Sequence, residues 1–173
     1  ALQYGGPVLL LEHKGLFETA GWVSDEAYAE PPIGRADVMR HGRNVTVVAL
    51  GPLVRAALEA AGALWKDGVA VEVIDLRTVS PLDAQTIRES AARTGRLVVA
   101  DPGWPAFGVA AEVIAAVTEA VPLLAPAVRV GFPSVPCPAS PALERAYYPG
   151  AREIETEVRR VMAWEFAGAG GRR

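Results

Sequence analysis

Along the chain, short β-branched runs alternate with stretches in which apolar positions recur every three or four residues. That alternation is the signature of buried strands separated by amphipathic helices. Residues 45–50 (VTVVAL) predict a buried strand, broken by Gly51-Pro52, and residues 53–66 predict an amphipathic helix. The helix stops at Asp67-Gly68, where glycine can take the left-handed cap conformation. Residues 69–76 (VAVEVIDL) read as a second strand. Ser80-Pro81-Leu82-Asp83 predicts the next helix start, with Ser80 as cap, proline at the first helical position and an acid at the third; Gly95 ends that helix. Residues 96–100 form a third predicted strand, and a helix follows from near Phe107 or Gly108 to about Ala120. A fourth strand is expected at 127–131, and a last helix at 151–165 carries Ile154, Val158 and Val161 at helical spacing. Residues 168–173 are expected to be a disordered tail. Strands and helices alternating in this way predict a mainly parallel sheet with right-handed crossovers and helices on both faces, a three-layer α/β sandwich.

The amino-terminal quarter follows a different pattern. Residues 8–11 predict a short apolar strand ending in Glu12-His13-Lys14. The chain opens at Ala1 with no initiator methionine and reaches this strand at once, as a piece of a longer protein would. Residues 15–40 show neither period; Pro31-Pro32 and the scattered acids Glu18, Asp25, Glu26 and Glu30 predict an extended connection. Its apolar groups Trp22, Val23, Tyr28 and Ile33 require a surface to lie on.

Composition narrows the function classes. With 173 residues, 51% of them hydrophobic, the chain can bury one domain's core with appendages. A formal charge of −3 gives no electrostatic case for nucleic acid. No apolar run of membrane-spanning length and no export signal is visible. The single cysteine, Cys137, cannot form an internal disulfide and fits a reducing compartment, so a soluble cytoplasmic protein is expected.

Chemistry-bearing residues are few. The loop from Asp101 to Gly108 (DPGWPAFG) follows a strand and opens a helix, the place where open α/β sheets meet ligands and partners. Its glycines match neither the dinucleotide pattern nor the phosphate loop. Asp75 and Asp101 end what read as neighbouring strands; they are either a carboxylate pair or turn caps and arginine partners, the latter favoured. Glu112 and Glu119 lie seven apart on one helical face, a solvent stripe, with a partly buried Glu112 as the alternative. His13 and His41 lack companions at zinc-ligand spacing. Cys137, between Pro136 and Pro138, is expected to be structural. Arg77 could bind an anion or pin its own loop. Trp104 and Phe107, beside prolines, are either interface anchors or ordinary core.

The segments PVLLLEHKGL, PIGRADVMRHGRNVTVVALG, EVIDLRTVSPLD, GRLVVADPGWPAFGVAAEV, APAVRVGFPSVPCP and ALERAYYP occur in that order. Together they resemble the carboxyl-terminal part of the β subunit of thiamine-diphosphate-dependent 2-oxoacid dehydrogenases, a transketolase C-terminal-like α/β domain, and the central loop is most similar to the pyruvate type. The resemblance implies that residues 1–14 end a truncated pyrimidine-binding domain, 15–40 are the connecting linker, 41–166 the transketolase C-terminal-like domain and 167–173 a tail. It also implies that thiamine diphosphate and Mg2+ are bound by parts absent from this chain, with no catalytic residue here. The implied partners are the dehydrogenase α subunit and a second β subunit, with Asp101, Trp104, Phe107, Arg77, Glu112 and His13 as subunit-interface candidates. Where pyruvate dehydrogenases often carry an aspartate before Ala-Pro, an acid that the acyltransferase core can pair with, this chain has Leu124 before Ala125-Pro126, which puts that docking mode in doubt. A transketolase- or acetoin-dehydrogenase-type relative and a non-catalytic interaction module are the alternatives; a free-standing nucleotide-binding enzyme is disfavoured by the glycine spacing.

Overall fold

A computed structural model describes residues 1, 4–21 and 32–164. Five strands, β1 (Asp37–Arg40), β2 (Val45–Ala49), β3 (Val71–Asp75), β4 (Leu97–Ala100) and β5 (Val128–Val130), form one sheet in the order β1-β3-β2-β4-β5. All neighbours are parallel except β1, which runs antiparallel to β3. The helices are α1 (Pro52–Trp65), α2 (Ala84–Thr94), α3 (Val109–Thr118), α4 (Pro141–Tyr147) and α5 (Ala151–Met162).

Successive side chains of a strand point to opposite faces, and the two cores follow that rule. Val45, Val47, Ala49, Val71, Val73, Val98 and Ala100 face α1 and α5, meeting Leu53, Ala57, Leu64, Ile154 and Val158. Val48, Ile74, Leu97 and Val99 face α2 and α3, meeting Ile87, Ala91, Val113 and Val117. The three-layer α/β sandwich expected from the sequence is therefore present, with Gly95 left-handed after α2 and Ile154, Val158 and Val161 buried as predicted.

Several details depart from the sequence expectation. Residues 8–11 form no strand: Leu9, Leu10 and Leu11 are largely exposed and pair with no strand of the sheet. A single 3-10 turn, Lys14–Leu16, follows. The expected connection ends before residue 40, since Asp37–Arg40 pairs with the outer edge of β3 through a register shift between Val38 and Arg40. The seven-residue α4 was not anticipated. The N-cap of α2 is Asp83 and not Ser80; the Ser80-Pro81 bond is cis, and the chain enters the helix only after it. Asp83 accepts bonds from Thr86 N–H (3.2 Å), Thr86 Oγ1 (2.8 Å) and, from the segment before β1, Ala36 N–H (3.0 Å). Those bonds hold its carboxyl below the usual carboxylate range although burial opposes them. Ile33 is half-buried beside this segment, while Trp22, Val23, Tyr28 and the tail 167–173 lie outside the described residues.

One charge lies inside the sheet's α2 face. Glu72 is 1% exposed and bonds to Arg93 Nη2 (2.5 Å) and Gly42 N–H (3.3 Å), with His41 Nδ1 at 3.6 Å. Beside it Thr46 Oγ1 contacts Ser90 Oγ (2.7 Å) and Thr94 Oγ1 (2.8 Å). Burial pushes the Glu72 carboxyl up, but Ser90, the Gly42 N–H, Arg93 and His41 outweigh it, and the group is held below its ordinary value of 4.5. A depressed folded-state pKa stabilises the fold above the unfolded value, and that contribution is lost as pH falls through the folded one. Glu72→Gln is therefore expected to lower stability at pH 7 by about 1–3 kcal/mol and to flatten the acid side of the stability profile, measured by urea titration between pH 7 and pH 3. An unchanged acid limb would remove Glu72 as its source.

Candidate functional site

The surface that stands apart is built where β4 ends. Asp101 is 6% exposed. Its backbone N–H donates to Val130 O (2.9 Å), its carbonyl accepts from Gly103 N–H (2.7 Å), and its carboxylate Oδ2 accepts from Ala110 N–H (3.1 Å) at the start of α3. Helix starts leave unpaired N–H groups and attract negative charge; Gly108, the N-cap of α3, has no side chain to serve them. Asp101 serves from nine residues upstream. From the other side, Phe132 N–H bonds to Gly103 O (2.8 Å) and Arg129 Nη1 to Pro105 O (2.7 Å). Two close approaches complete the brace: a Cβ on Gly131 would lie 2.6 Å from Gly103 O, and one on Gly108 would overlap Trp104 O and lie 2.8 Å from Asp101 Oδ2.

This bracing displays aromatic groups. Trp104 is 56% exposed and Phe107 104%, so neither is core. Trp104 Nε1 donates to Tyr147 OH (3.4 Å). Tyr147, Tyr148 and Phe132 pack edge-to-face or tilted against one another with centroids 5.1–5.4 Å apart, within the range of favourable aromatic pairs. The loop after β4, the segment after β5 and α4 thus make one aromatic surface. Sequence spacing could not reveal the part of α4, because Tyr147 lies 43 positions from Trp104.

The remaining candidates are dispersed. Arg77, at φ +56°, binds Asp37 Oδ2 (2.6 Å) and lies 3.6 Å from Asp75 Oδ2, while its N–H donates to Asp75 Oδ1 (3.2 Å); it pins its own loop and clamps β1 to β3. Burial raises the Asp75 carboxyl's pKa, with Arg77 opposing. Asp75 and Asp101 do not pair: β2 runs between their strands, separating them by two strand spacings, about 10 Å, and each has its own partner. Asp101 serves within the domain, not at its surface. Glu112 and Glu119 are both exposed, as a solvent stripe requires. His13 accepts from Gly15 N–H (3.1 Å) in an exposed turn, and His41 sits beside Glu72. Cys137, expected to be structural, is exposed, its thiol 3.6 Å from Tyr148 OH. Leu124 is exposed and packs over Gly95, where a Cβ would lie 2.6 Å from its Cδ1. Among the described residues no three His, Cys, Asp or Glu side chains are grouped to hold a metal ion.

Comparison with known proteins agrees with the fold. The profile described as transketolase, C-terminal domain matches residues 34–154. The chain is similar to the acetoin:2,6-dichlorophenolindophenol oxidoreductase subunit beta of Cupriavidus necator, at 42% identity over 94% of this chain and 48% of that one. It is 38% identical to the mitochondrial pyruvate dehydrogenase E1 component subunit beta of Mus musculus, over 94% of this chain and 47% of that one. A solved structure, "Split gene transketolase, inactive beta4 tetramer", superposes with a TM-score of 0.69 at 33% identity, covering 76% of this chain and 43% of that one. The chain spans about half the length of the curated relatives it matches.

Proposed function

The chain belongs to the transketolase C-terminal domain family, and from that premise we propose that it is the carboxyl-terminal half of the β subunit of a thiamine-diphosphate-dependent 2-oxoacid dehydrogenase. In this role it serves assembly. The observation that carries the proposal is the braced loop after β4, which holds Trp104 and Phe107 out to solvent. A contact surface needs apolar anchors held in place before binding, because ordering them on binding would cost affinity. The whole enzyme would decarboxylate a 2-oxoacid such as pyruvate oxidatively and pass the acyl group to a lipoyl arm. Thiamine diphosphate and Mg2+ would be held by the α subunit and by a pyrimidine-binding domain whose last segment is residues 1–14, joined to this domain by the stretch that follows.

The partners proposed are an α subunit and a second copy of this chain. The solved relative named as a tetramer of beta chains supports the second. Leu124 offers no charge to an acyltransferase core, so we assign no docking residue for one. The 42% identity to the acetoin-oxidising relative favours a second reading, in which the same assembly cleaves acetoin. A reducing interior such as the cytoplasm suits the free Cys137 thiol.

Two measurements test the proposal. Calorimetry on the 173-residue chain is expected to show no thiamine diphosphate binding, whereas co-expression with an α subunit and the upstream half of the β subunit yields 2-oxoacid-dependent dye reduction. Cofactor binding by this chain alone would falsify the division of labour. Trp104→Ala is expected to weaken assembly about tenfold or more while shifting the urea midpoint by less than about 1 kcal/mol equivalent. Equal loss of both would return Trp104 to a packing role.

A further inference from the structure

The amino ends of the parallel strands carry a second surface, at the end of the sheet opposite the loop after β4. Trp65 closes α1 and is 60% exposed, although Leu64 beside it is fully buried and does the packing of that turn. The Arg40 guanidinium lies over the indole, 5.7 Å from the ring centroid, where the ring face attracts a cation. The backbone brings two further cations to this corner. Arg43 N–H donates to Ala70 O (3.1 Å), and the turn after α1, which carries Lys66, leads to the same point through Gly68 N–H on Trp65 O (3.1 Å) and Val69 N–H on Leu64 O (3.1 Å). Arg43 and Lys66 are exposed. Among the described residues Arg40, Arg43 and Lys66 form no ion pair, and the acids beside them have other partners: Asp67 binds Arg159 Nη2 (2.7 Å), and Glu72 is buried against Arg93. Uncompensated positive charge thus surrounds an exposed indole in a chain whose net charge is −3.

We propose that this corner binds a short acidic peptide segment of a partner protein, which sets an apolar side chain on the open part of the Trp65 ring and its carboxylates on Arg40, Arg43 and Lys66. Arg40 holds the indole in one orientation beforehand, which spares part of the cost of ordering it on binding. Tryptophan and arginine are the side chains that most often carry the energy of a contact. A short segment suits the surface better than a long polyanion does. Arg40, Arg43 and Lys66 can neutralise only a few phosphates of a nucleic acid strand, and the rest of that strand would face the chain's net negative charge. An anionic membrane calls for a basic cluster of about 4–8 residues or a broad apolar face to insert. The corner lies away from the loop after β4, so the proposal stands independently of the assembly reading.

Fluorescence anisotropy of a fluorescein-labelled Glu-Glu-Phe-Glu-Glu peptide, titrated with the full chain, tests this. The peptide is expected to bind with Kd below about 1 mM. Its affinity should fall about tenfold or more between about 0.1 M and about 1 M salt, as the screening length shrinks from about 10 Å to about 3 Å. Trp65→Ala is expected to weaken binding about tenfold, and Arg43→Glu combined with Lys66→Glu about thirtyfold, with urea midpoints unchanged because all three side chains are exposed. A peptide that does not bind, or that binds these variants as it binds the natural chain, overturns the proposal. Equal affinity for a Lys-Lys-Phe-Lys-Lys peptide overturns the part played by charge and the proposal with it. Tighter binding of an oligo(dT) strand or of phosphatidylserine vesicles overturns the acidic peptide as the occupant.

Discussion

Gly42→Ala is expected to destabilise the domain by about 3–5 kcal/mol, a large share of the 5–15 kcal/mol that holds a typical domain folded. The turn joining β1 to β2 lies flat on the start of β3: Arg43 and Asn44 donate their N–H groups to Ala70 O, and Asn44 Oδ1 accepts from Ala70 N–H (2.8 Å). A Cβ on Gly42 would overlap the Val71 carbonyl carbon and the Glu72 nitrogen and lie 2.6 Å from Val71 O. All three atoms are backbone of a strand paired on both sides, so no rotamer change relieves the clash. The turn must lift. Lifting it breaks the Gly42 N–H bond to Glu72, leaving a buried carboxylate with one donor fewer, and strips β1 from β3. A urea titration of the variant should show the loss as a lower midpoint. A shift under about 1 kcal/mol would mean that the turn can move without the sheet.

Gly108→Ala is the counterpart at the aromatic surface and should affect stability and assembly together. The added methyl group would overlap Trp104 O, part of the loop's own backbone, and press on Asp101 Oδ2, which ties the loop to α3. To admit it, either the loop moves away, carrying Trp104 and Phe107, or Asp101 releases the N–H of Ala110. The second outcome leaves a buried carboxylate short of a donor. The expected cost is about 2–4 kcal/mol in urea titration, with self-association reduced by more than Trp104→Ala reduces it. Unchanged assembly in a destabilised Gly108→Ala chain would show that the aromatic groups need no fixed loop.

The strands that the sequence disclosed are those buried on both faces. β2, β3 and β4 are β-branched runs because two helical layers cover them, and β5 shows the same residues on its one buried face, Val128 and Val130, so their pattern is local and readable. β1 escaped notice because it is a four-residue edge strand with Met39 exposed, polar Asp37 and Arg40 at its ends and a bulge at its middle. The seven residues of α4 are too few to display a helical period. Residues 8–11 show the opposite failure, a strand-like composition without a sheet to join. At the site, Trp104 and Phe107 were legible as aromatic groups set between prolines. Their exposure was not, because it depends on what lies opposite. Asp101 illustrates the limit: its acidity was visible, whereas its work on Ala110, and the support from Arg129 and Gly131, come from chain pairings that no local pattern encodes. Glu72 sat unremarked inside an apolar strand because its partner Arg93 is 21 positions away.

The order of the elements also bears on how the chain is made. β2, the central strand, leaves the ribosome directly after β1, and α1 follows it with Leu53, Ala57, Ala60, Ala61 and Leu64 destined for burial. The helix that covers them is α5, joined to the end of α1 by the Arg159–Asp67 ion pair across 92 positions. At about 5–20 residues per second, those positions take about 5–20 s to synthesise. For that interval α1 can pack only on the strands made by then, the part of its apolar face that α5 covers stays open on the nascent chain, and this half of the domain closes only when nearly all of it has been translated.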